Sequence, residues 1–213
     1  PLDGVESPFG PRRRARQEFL ALLQQFSGAA AAYSLRDLTG TNPSVVRVRR
    51  SSDNAEQDFT AKQINDGSLL AWVGSNYGLV SVWYDQSSGG NNATQTVASG
   101  QPLIVGAGVL ATEGGKPALF FDGVENFFDL GTPGPYSITD SFTLESWVAT
   151  NGTDGQIIGF DDSLPPRTWQ FRGKNNGKFH FTRFDSSANV INTLKTPDSY
   201  NTGNRHHLSA VFD

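Results

Sequence analysis

The chain has no cysteine and no methionine, and only 18% of its 213 residues are charged. Without cysteine, neither a disulfide framework nor a thiolate metal site can form. No stretch of ~18 consecutive apolar residues occurs, so the sequence predicts no membrane-spanning helix. The formal net charge of -4 argues against a nucleic-acid-binding protein, because such proteins present a basic face. We therefore expect neither a membrane nor a nucleic acid as a partner.

Short apolar segments follow one another through the chain after residue 29. Gly, Asn, Asp, Pro or Ser separates each segment from the next, which is the pattern of strands joined by turns. The predicted strands cover residues 45–50, 79–84, 103–105, 118–121, 142–150, 156–160, 168–172, 178–184 and 207–213. Asn-Asn-Gly at 175–177 predicts a hairpin between two of them. A short helix is predicted at residues 69–73, between a polar cap and Gly74. With 23 glycines and 15 phenylalanines, the pattern indicates an all-β protein.

The segment 1–28 differs from the rest of the chain. Prolines at positions 1, 8 and 11 predict an extended arm without a core of its own. A helical period follows over residues 13–26, and Gly28 provides a stop. The apolar residues on one face of this predicted helix are Phe19, Leu22, Leu23 and Phe26.

Four arginines lie at the start of the predicted helix, namely Arg12, Arg13, Arg14 and Arg16. Cations are disfavoured near a helix N-terminus because the positive end of the helix dipole lies there. One interpretation is a solvated charged turn. The other is that the arginines face an acidic surface of a partner protein.

Three segments together carry a family resemblance. They are VVRVRRSSDN at residues 45–54, WYDQSSGGNNATQ at 83–95 and KPALFFDG at 116–123. They resemble the module that opens many bacteriophage structural proteins. That module is similar to the N-terminal part of the arabinofuranosidase B-type catalytic domain, running into a concanavalin-like, laminin-G-like sandwich.

The resemblance implies a concanavalin-like (laminin-G-like) jelly-roll β-sandwich over residues 29–213, preceded by the arm and short helix of residues 1–28. Residues 207–213 predict a strand at the point where the sequence stops, and a sandwich closes only with its last strands. We therefore expect the sandwich to be incomplete at its C-terminus and the natural protein to continue.

The resemblance also implies a location in the virion, as a structural protein of fibre, spike or decoration type. Residues 1–28 would dock on other virion proteins, and the sandwich would project outward. The candidate anchoring residues are Pro8, Phe9, Arg12, Arg13, Arg14, Arg16, Phe19, Leu23 and Phe26. A homo-oligomer is expected, with a trimer favoured.

A lectin-like sandwich on a virion implies attachment to host-surface glycans. Carbohydrate sites combine an aromatic platform with polar side chains that fix the orientation of the sugar. The candidate glycan-binding residues are Trp147, Trp169, Tyr136 and Asn175. The alternative for each aromatic residue is a place in the core of the sandwich.

Glycoside hydrolysis is an alternative function. Retaining hydrolysis needs two carboxylates about 5–5.5 Å apart. The arabinofuranosidase family carries its nucleophile in a Glu-Asn-Gly-Leu-Phe-type strand entry, and the nearest match at 175–179 has Asn175 in that place. An amide cannot form the glycosyl-enzyme intermediate, so we assign no catalytic residue. A glycoside hydrolase or polysaccharide depolymerase and a purely structural capsid or tail component both stay open.

Few residues suggest a metal or a cofactor. Asp161 and Asp162 follow a predicted strand and are candidate Ca²⁺ ligands, with a solvated turn as the alternative. His206 and His207 are adjacent in a predicted strand, so they point to opposite faces and cannot chelate one ion together. Asp85 follows a strand and is interpreted as a turn-capping residue. No other cofactor is expected.

Overall fold

The computed structural model describes residues 20–131, 141–150, 152, 154–160, 169–174, 176–184, 187, 189–200 and 202–212. Antiparallel strands dominate these residues, and the helices among them are short. The all-β prediction is therefore confirmed. Within the same ranges, no helix combines the length and the apolar character needed to cross a membrane.

The first half of the described chain forms a six-stranded antiparallel sheet. Its strands are β1 (Ser44–Arg50), β2 (Glu56–Thr60), β3 (Gly78–Trp83), β4 (Ala93–Thr94), β5 (Leu103–Gly106) and β6 (Val109–Leu110). The order across the sheet is β2-β1-β3-β5-β6, with β4 beside β3. A small hairpin follows, made of β7 (Thr112–Glu113) and β8 (Lys116–Pro117).

Three short α-helices accompany this sheet, namely α1 (Leu22–Gln25), α2 (Ala61–Asn65) and α3 (Ser68–Val73), together with a 3-10 helix at Ala98–Gly100. The predicted helix at 69–73 is confirmed as α3. The Asp66 carboxylate accepts hydrogen bonds from the Ser68 amide and hydroxyl at its start. Gly74 ends it at a φ of 63°, a backbone conformation that favours glycine.

The first core lies between the sheet and these two later helices. Ile64 of α2 and Leu69 and Val73 of α3 pack into a cluster with Val48 and Val80 of the sheet, and all five are fully buried. Burying one such side chain stabilises the fold by roughly 1.5–3 kcal/mol. The alternation of β1 then leaves Arg47 and Arg49 on the other face.

The prediction of one continuous helix over residues 13–26 is wrong. Ala21 is extended, with a ψ of 157°, so α1 begins only at Leu22. The amide of Leu23 donates to the carbonyl of Leu38 at 2.9 Å, which fixes α1 against a turn of the protein. Phe26 is 65% exposed, so the apolar face that the sequence predicted is not packed at this residue. Residues 13–19 lie outside the described ranges.

The second half of the described chain forms two further sheets. Their strands are β9 (Phe142–Ala149), β10 (Gly155–Phe160), β11 (Trp169–Gly173), β12 (Phe179–Phe184), β13 (Val190–Lys195) and β14 (Arg205–Phe212). The strands β10-β11-β12-β13 form a four-stranded sheet, and β14 pairs with β9. Strands β11 and β12 pair in register through the turn that contains Gly177, which confirms the predicted hairpin.

These two sheets share a second core. Phe171 and Phe181 face each other across β11 and β12, and they belong to one buried cluster with Leu208 and Ala210 of β14. The four-stranded sheet and the β9–β14 pair therefore form two layers around apolar side chains. Trp169 is part of this cluster and is only 3% exposed.

The WYDQS segment ties a stretch without regular secondary structure to the first sheet. One carboxylate oxygen of Asp85 accepts hydrogen bonds from the amides of Ala32 and Ser87, both at 2.8 Å. The other oxygen accepts from the Asn91 amide at 2.9 Å and from the Ser87 hydroxyl at 2.8 Å. The interpretation of Asp85 as a turn-capping residue is confirmed, and its reach extends to a segment about fifty residues earlier in the chain.

Gln86 continues the same connection. Its side-chain amide donates to the carbonyls of Ser34 and Arg36, and its oxygen accepts from the amide of Leu38 at 2.8 Å. Gln86 is only 8% exposed, so these bonds satisfy a polar group that has lost most of its water. The two side chains together hold residues 30–38 in place.

We expect Asp85→Ala to lower the free energy of unfolding by about 2–3 kcal/mol, because it leaves several half-buried amides without an acceptor. Glu56→Ala, which removes an exposed carboxylate from the same sheet, is the matched control and should change stability little. Chemical denaturation followed by circular dichroism measures both. An unchanged midpoint for Asp85→Ala would contradict the connection.

The same change has a pH signature. Burial raises the pKa of Asp85, but the amides of Ala32, Ser87 and Asn91 outweigh it and hold the pKa below the ordinary 3.8. The stabilisation is therefore present above that ordinary value and lost as the pH falls through the lower folded-state pKa. The difference between the wild type and Asp85→Ala should shrink across that acidic range.

Candidate functional site

The outer face of the β9–β14 pair carries exposed polar side chains around one aromatic ring. The two strands pair over eight positions without a register shift, so directly opposite residues share a face. One set of pairs points into the second core, and the other set faces solvent. The exposed set is Thr143, Glu145 and Trp147 from β9, with Arg205, His207, Ser209 and Val211 from β14.

Trp147 is at the centre of this outer face and is 62% exposed. The imidazole of His207 stacks on the indole with ring centroids 4.7 Å apart and planes inclined by 27°. The guanidinium of Arg205 lies 4.9 Å from the centroid of the same indole, which is cation–π geometry. Glu145 completes the group, with its carboxylate 3.6 Å from the His207 ring nitrogen. We call these four residues the Trp147 face.

The Trp147 face has the parts that a sugar site needs. Its neighbours fix the orientation of the indole, so a ligand that stacks on it orders little that was free before. The carboxylate, the imidazole and the guanidinium supply acceptors and donors for hydroxyl groups around a sugar ring. Of these four residues, the sequence predicted only Trp147 as a glycan-binding residue, because Arg205 and His207 come together with it only through pairing with a strand some sixty residues later.

The other predicted glycan-binding residues do not join Trp147. The prediction of Trp169 as a glycan-binding residue is wrong, because its ring lies in the second core. The ring centroids of Phe142 and Phe181 are 6.1 and 6.2 Å from the ring centroid of Trp169. A ring that is 3% exposed offers no face to a ligand. Tyr136 and Asn175 lie outside the described residues.

The predicted anchoring and metal residues fall mostly outside the described ranges. Those outside are Pro8, Phe9, Arg12, Arg13, Arg14, Arg16, Phe19, Asp161 and Asp162. Leu23 is half-buried in α1, and Phe26 is exposed just after it. In the part of the chain that the structure describes, no group of three or more His, Cys, Asp or Glu side chains is placed to hold a metal ion.

The arginines of the segment 45–54 have structural roles. Arg47 donates from Nε and Nη2 to both carboxylate oxygens of Asp58, at 2.8 and 3.2 Å. The hydroxyl of Tyr84 donates to the same carboxylate at 2.8 Å. Hydrogen bonding from Arg47 lowers the pKa of Asp58, whereas burial and then the bond to Asp58 raise the pKa of Tyr84 to about 12.

The next two arginines are also engaged inside the protein. Arg49 donates to Gln101 at 2.7 Å and to Asn54 at 2.8 Å. Arg50 forms a two-bond pair with Asp53, and its guanidinium lies 4.6 Å from the centroid of the Trp72 ring. The arginines of this segment therefore stabilise the first sheet, and their guanidinium groups are already bound to other residues of the protein.

The pKa shifts of the described carboxyl groups bear on the alternative of glycoside hydrolysis. A general acid near neutral pH needs a raised pKa. In the described ranges, every carboxyl group whose pKa departs from its ordinary value has it lowered, by a cation or by backbone amides. These groups are Asp37, Asp53, Asp58, Asp66, Asp85, Asp122 and Asp154.

Comparison of the chain with protein-family models, with curated proteins and with solved structures found no match. Support for a function of this chain therefore comes from the geometry of the described residues. The resemblance carried by residues 45–54, 83–95 and 116–123 stays a prediction.

Proposed function

We propose that this chain is a bacteriophage virion structural protein of fibre, spike or decoration type that attaches to host-surface glycans through the Trp147 face. The observation that carries the binding role is the indole of Trp147, 62% exposed and oriented by His207 and Arg205. The virion location comes from the resemblance of the sequence motifs. The two antiparallel layers around the second core support a concanavalin-like, laminin-G-like jelly roll as the fold.

Glycan binding is the use that best fits an aromatic ring on an open sheet. Tryptophan is among the residues that contribute most to binding energy when they lie at the centre of an interface. An exposed sheet face suits an extended or branched ligand that lies across it, and the mixed charges of Glu145 and Arg205 suit a ligand rich in hydroxyl groups.

Anchoring through residues 1–28 is the second part of the proposal. The described end of this segment exposes three apolar side chains, with Leu20 56%, Leu22 46% and Phe26 65% accessible to solvent. Apolar side chains grouped in this way are typical of protein contact surfaces. They continue the predicted arm, so the whole segment provides a docking element for another virion protein, and side-by-side packing of copies provides the expected homo-oligomer, with a trimer favoured.

We expect Trp147→Ala to weaken binding to a responsive glycan at least about tenfold, the change that corresponds to about 1.4 kcal/mol. A glycan array identifies the ligand, and titration calorimetry with that glycan measures the change. The matched control is Tyr77→Ala, because Tyr77 is also an exposed aromatic residue, at 52%, but precedes a strand of the first sheet. The control should bind like the wild type.

Other outcomes of this experiment separate the alternatives. Release of reducing sugar from the bound polysaccharide would favour a glycoside hydrolase or depolymerase. Neither binding nor release across the array would favour a purely structural component. Binding that survives Trp147→Ala unchanged would remove the Trp147 face from the proposal.

Deletion of residues 1–28 should abolish incorporation of the protein into phage particles while leaving the β-structure folded. Immunoblotting of purified particles measures incorporation, and circular dichroism measures folding. Full-length Trp147→Ala is the control, since its change lies away from the docking segment and it should be incorporated normally. Normal incorporation of the shortened chain would contradict the docking role.

A further inference from the structure

The outer face of the four-stranded sheet carries a continuous polar row. Gln156 pairs with Arg172, Arg172 with His180, and His180 with Lys195, so one residue of each strand lies directly across from the next. These positions alternate with Phe171 and Phe181 of the second core and therefore point away from it. Neighbouring strands are about 4.8 Å apart, which gives the row a length of about 14 Å.

A hollow lies beside this row. It has a volume of about 290 Å³ and is lined by Asp154, Lys174, Asn176 and His180. Asp154 receives an ion pair from Arg172 at 3.0 Å and another from Lys174 at 3.1 Å, which fixes both cations at its edge. The hollow and the row meet at His180.

Two buried nitrogen atoms at this place have no hydrogen-bond partner among the described residues. They are Nε of Arg172 and Nε2 of His180, which lie on directly opposite residues of β11 and β12. A buried donor without an acceptor costs free energy, and each such group in a native protein calls for an explanation. The Nε–H of Arg172 is always a donor, whereas Nε2 of His180 donates only in the tautomer that carries its proton there, so at least one unmatched donor lies beside the hollow.

The surroundings are positive although the whole chain is negative. The charged groups that act on His180 are Lys195, Lys174 and Lys178, opposed by Asp154. Arg172, directly across the sheet, adds a further cation. Burial first and then the lysines lower the pKa of His180, so its imidazole is neutral near pH 7. The sheet thus concentrates positive charge in a chain with a formal net charge of -4.

We propose that this row and hollow bind an acidic polysaccharide through its carboxylate groups. The guanidinium of Arg172, which donates to Asp154 at 3.0 Å and to Gln170 at 3.3 Å, supplies positive charge beside the hollow, and the ammonium of Lys195 adds a second charge about two strand spacings away. A row of this length suits a chain of acidic sugars better than a single ion. The row has no Phe, Tyr or Trp side chain, and single-stranded nucleic acids are held largely by stacking on such rings.

The inference deepens the proposed glycan binding by naming an acidic class of ligand, but it uses none of the residues of the Trp147 face. The test measures binding of polygalacturonate fragments to the full chain by titration calorimetry, with neutral dextran fragments and single-stranded DNA as comparison ligands. Lys195→Gln is the informative variant, because Lys195 is exposed on an edge strand and its loss should leave folding unchanged. Lys116→Gln on β8 is the matched control, since Lys116 is also exposed on a strand but lies away from the row.

The expected result is that polygalacturonate binds, neutral dextran does not compete for this face, and Lys195→Gln weakens binding at least about tenfold while Lys116→Gln does not. Arg172→Gln should weaken it further, and its circular dichroism spectrum reports whether the sheet stays folded. Added polygalacturonate should also shift the NMR signal of the His180 imidazole in the wild type. High salt should weaken the interaction, because exposed charges are screened.

Three results would overturn the inference. Polygalacturonate would fail to bind, or it would bind equally well to Lys195→Gln, or single-stranded DNA would bind as tightly as the polysaccharide. If binding of the acid polymer is lost in Trp147→Ala and kept in Lys195→Gln, the proposed function stands and the inference fails. If Lys195→Gln weakens binding and Trp147→Ala does not, the inference holds without the Trp147 face.

Discussion

Hydrogen bonds between the side chains of Asp85 and Gln86 and backbone groups of residues 30–38 are the constraint on which the first half of the described chain depends. This stretch has no strand partner, so its amides and carbonyls lack a sheet ladder. Buried backbone polar groups almost always find a partner. Here the two side chains supply four of these bonds, and the amides of Gln86 and Leu23 donate to the carbonyls of Ala32 and Leu38. With the stretch held in place, Leu35 and Leu38 are buried at 7% and 6% exposure. The WYDQS motif is therefore a structural device, which explains its position directly after a strand.

The same conclusion extends to the other specific motif. The arginines of residues 45–54 end on Asp58, Gln101 and Asp53, all within the first sheet and its connections. The side chains of both motifs therefore stabilise the fold. Both proposed binding surfaces lie instead on the second pair of sheets, where the sequence offers alternation but no distinctive motif. Fold does not determine function, so a binding site has to be argued from its own side chains.

The sequence predicts an element correctly where residues within that element determine it. Strand β12 was predicted because its side chains alternate strictly, and α3 was predicted because Asp66 and Gly74 supply its cap and its stop. The sequence predicted the wrong backbone conformation where contacts with residues far along the chain determine it. Nothing near Ala21 in the sequence indicates that the backbone is extended there, and a contact of α1 with Leu38 accompanies that break.

The two candidate tryptophans show why the sequence alone could not predict the binding site. Trp147 and Trp169 both lie in predicted strands, and the prediction of a strand does not say which of its faces is buried. The pairing of β9 with β14 and of β11 with β12 decides it, placing one ring outside and the other in the core. The polar row from Gln156 to Lys195 depends on three registers at once, so it could be recognised only after the sheet was assembled.

Native-state hydrogen exchange by NMR tests the central connection most directly. The amides of Ala32 and Leu38, which donate to Asp85 and Gln86, should exchange as slowly as the amide of Val80 inside the first sheet. Such agreement would show that the stretch opens only when the sheet opens. If Ala32 and Leu38 exchange like exposed loop amides while Val80 stays protected, the two side chains do not hold the stretch, and the constraint described here is absent.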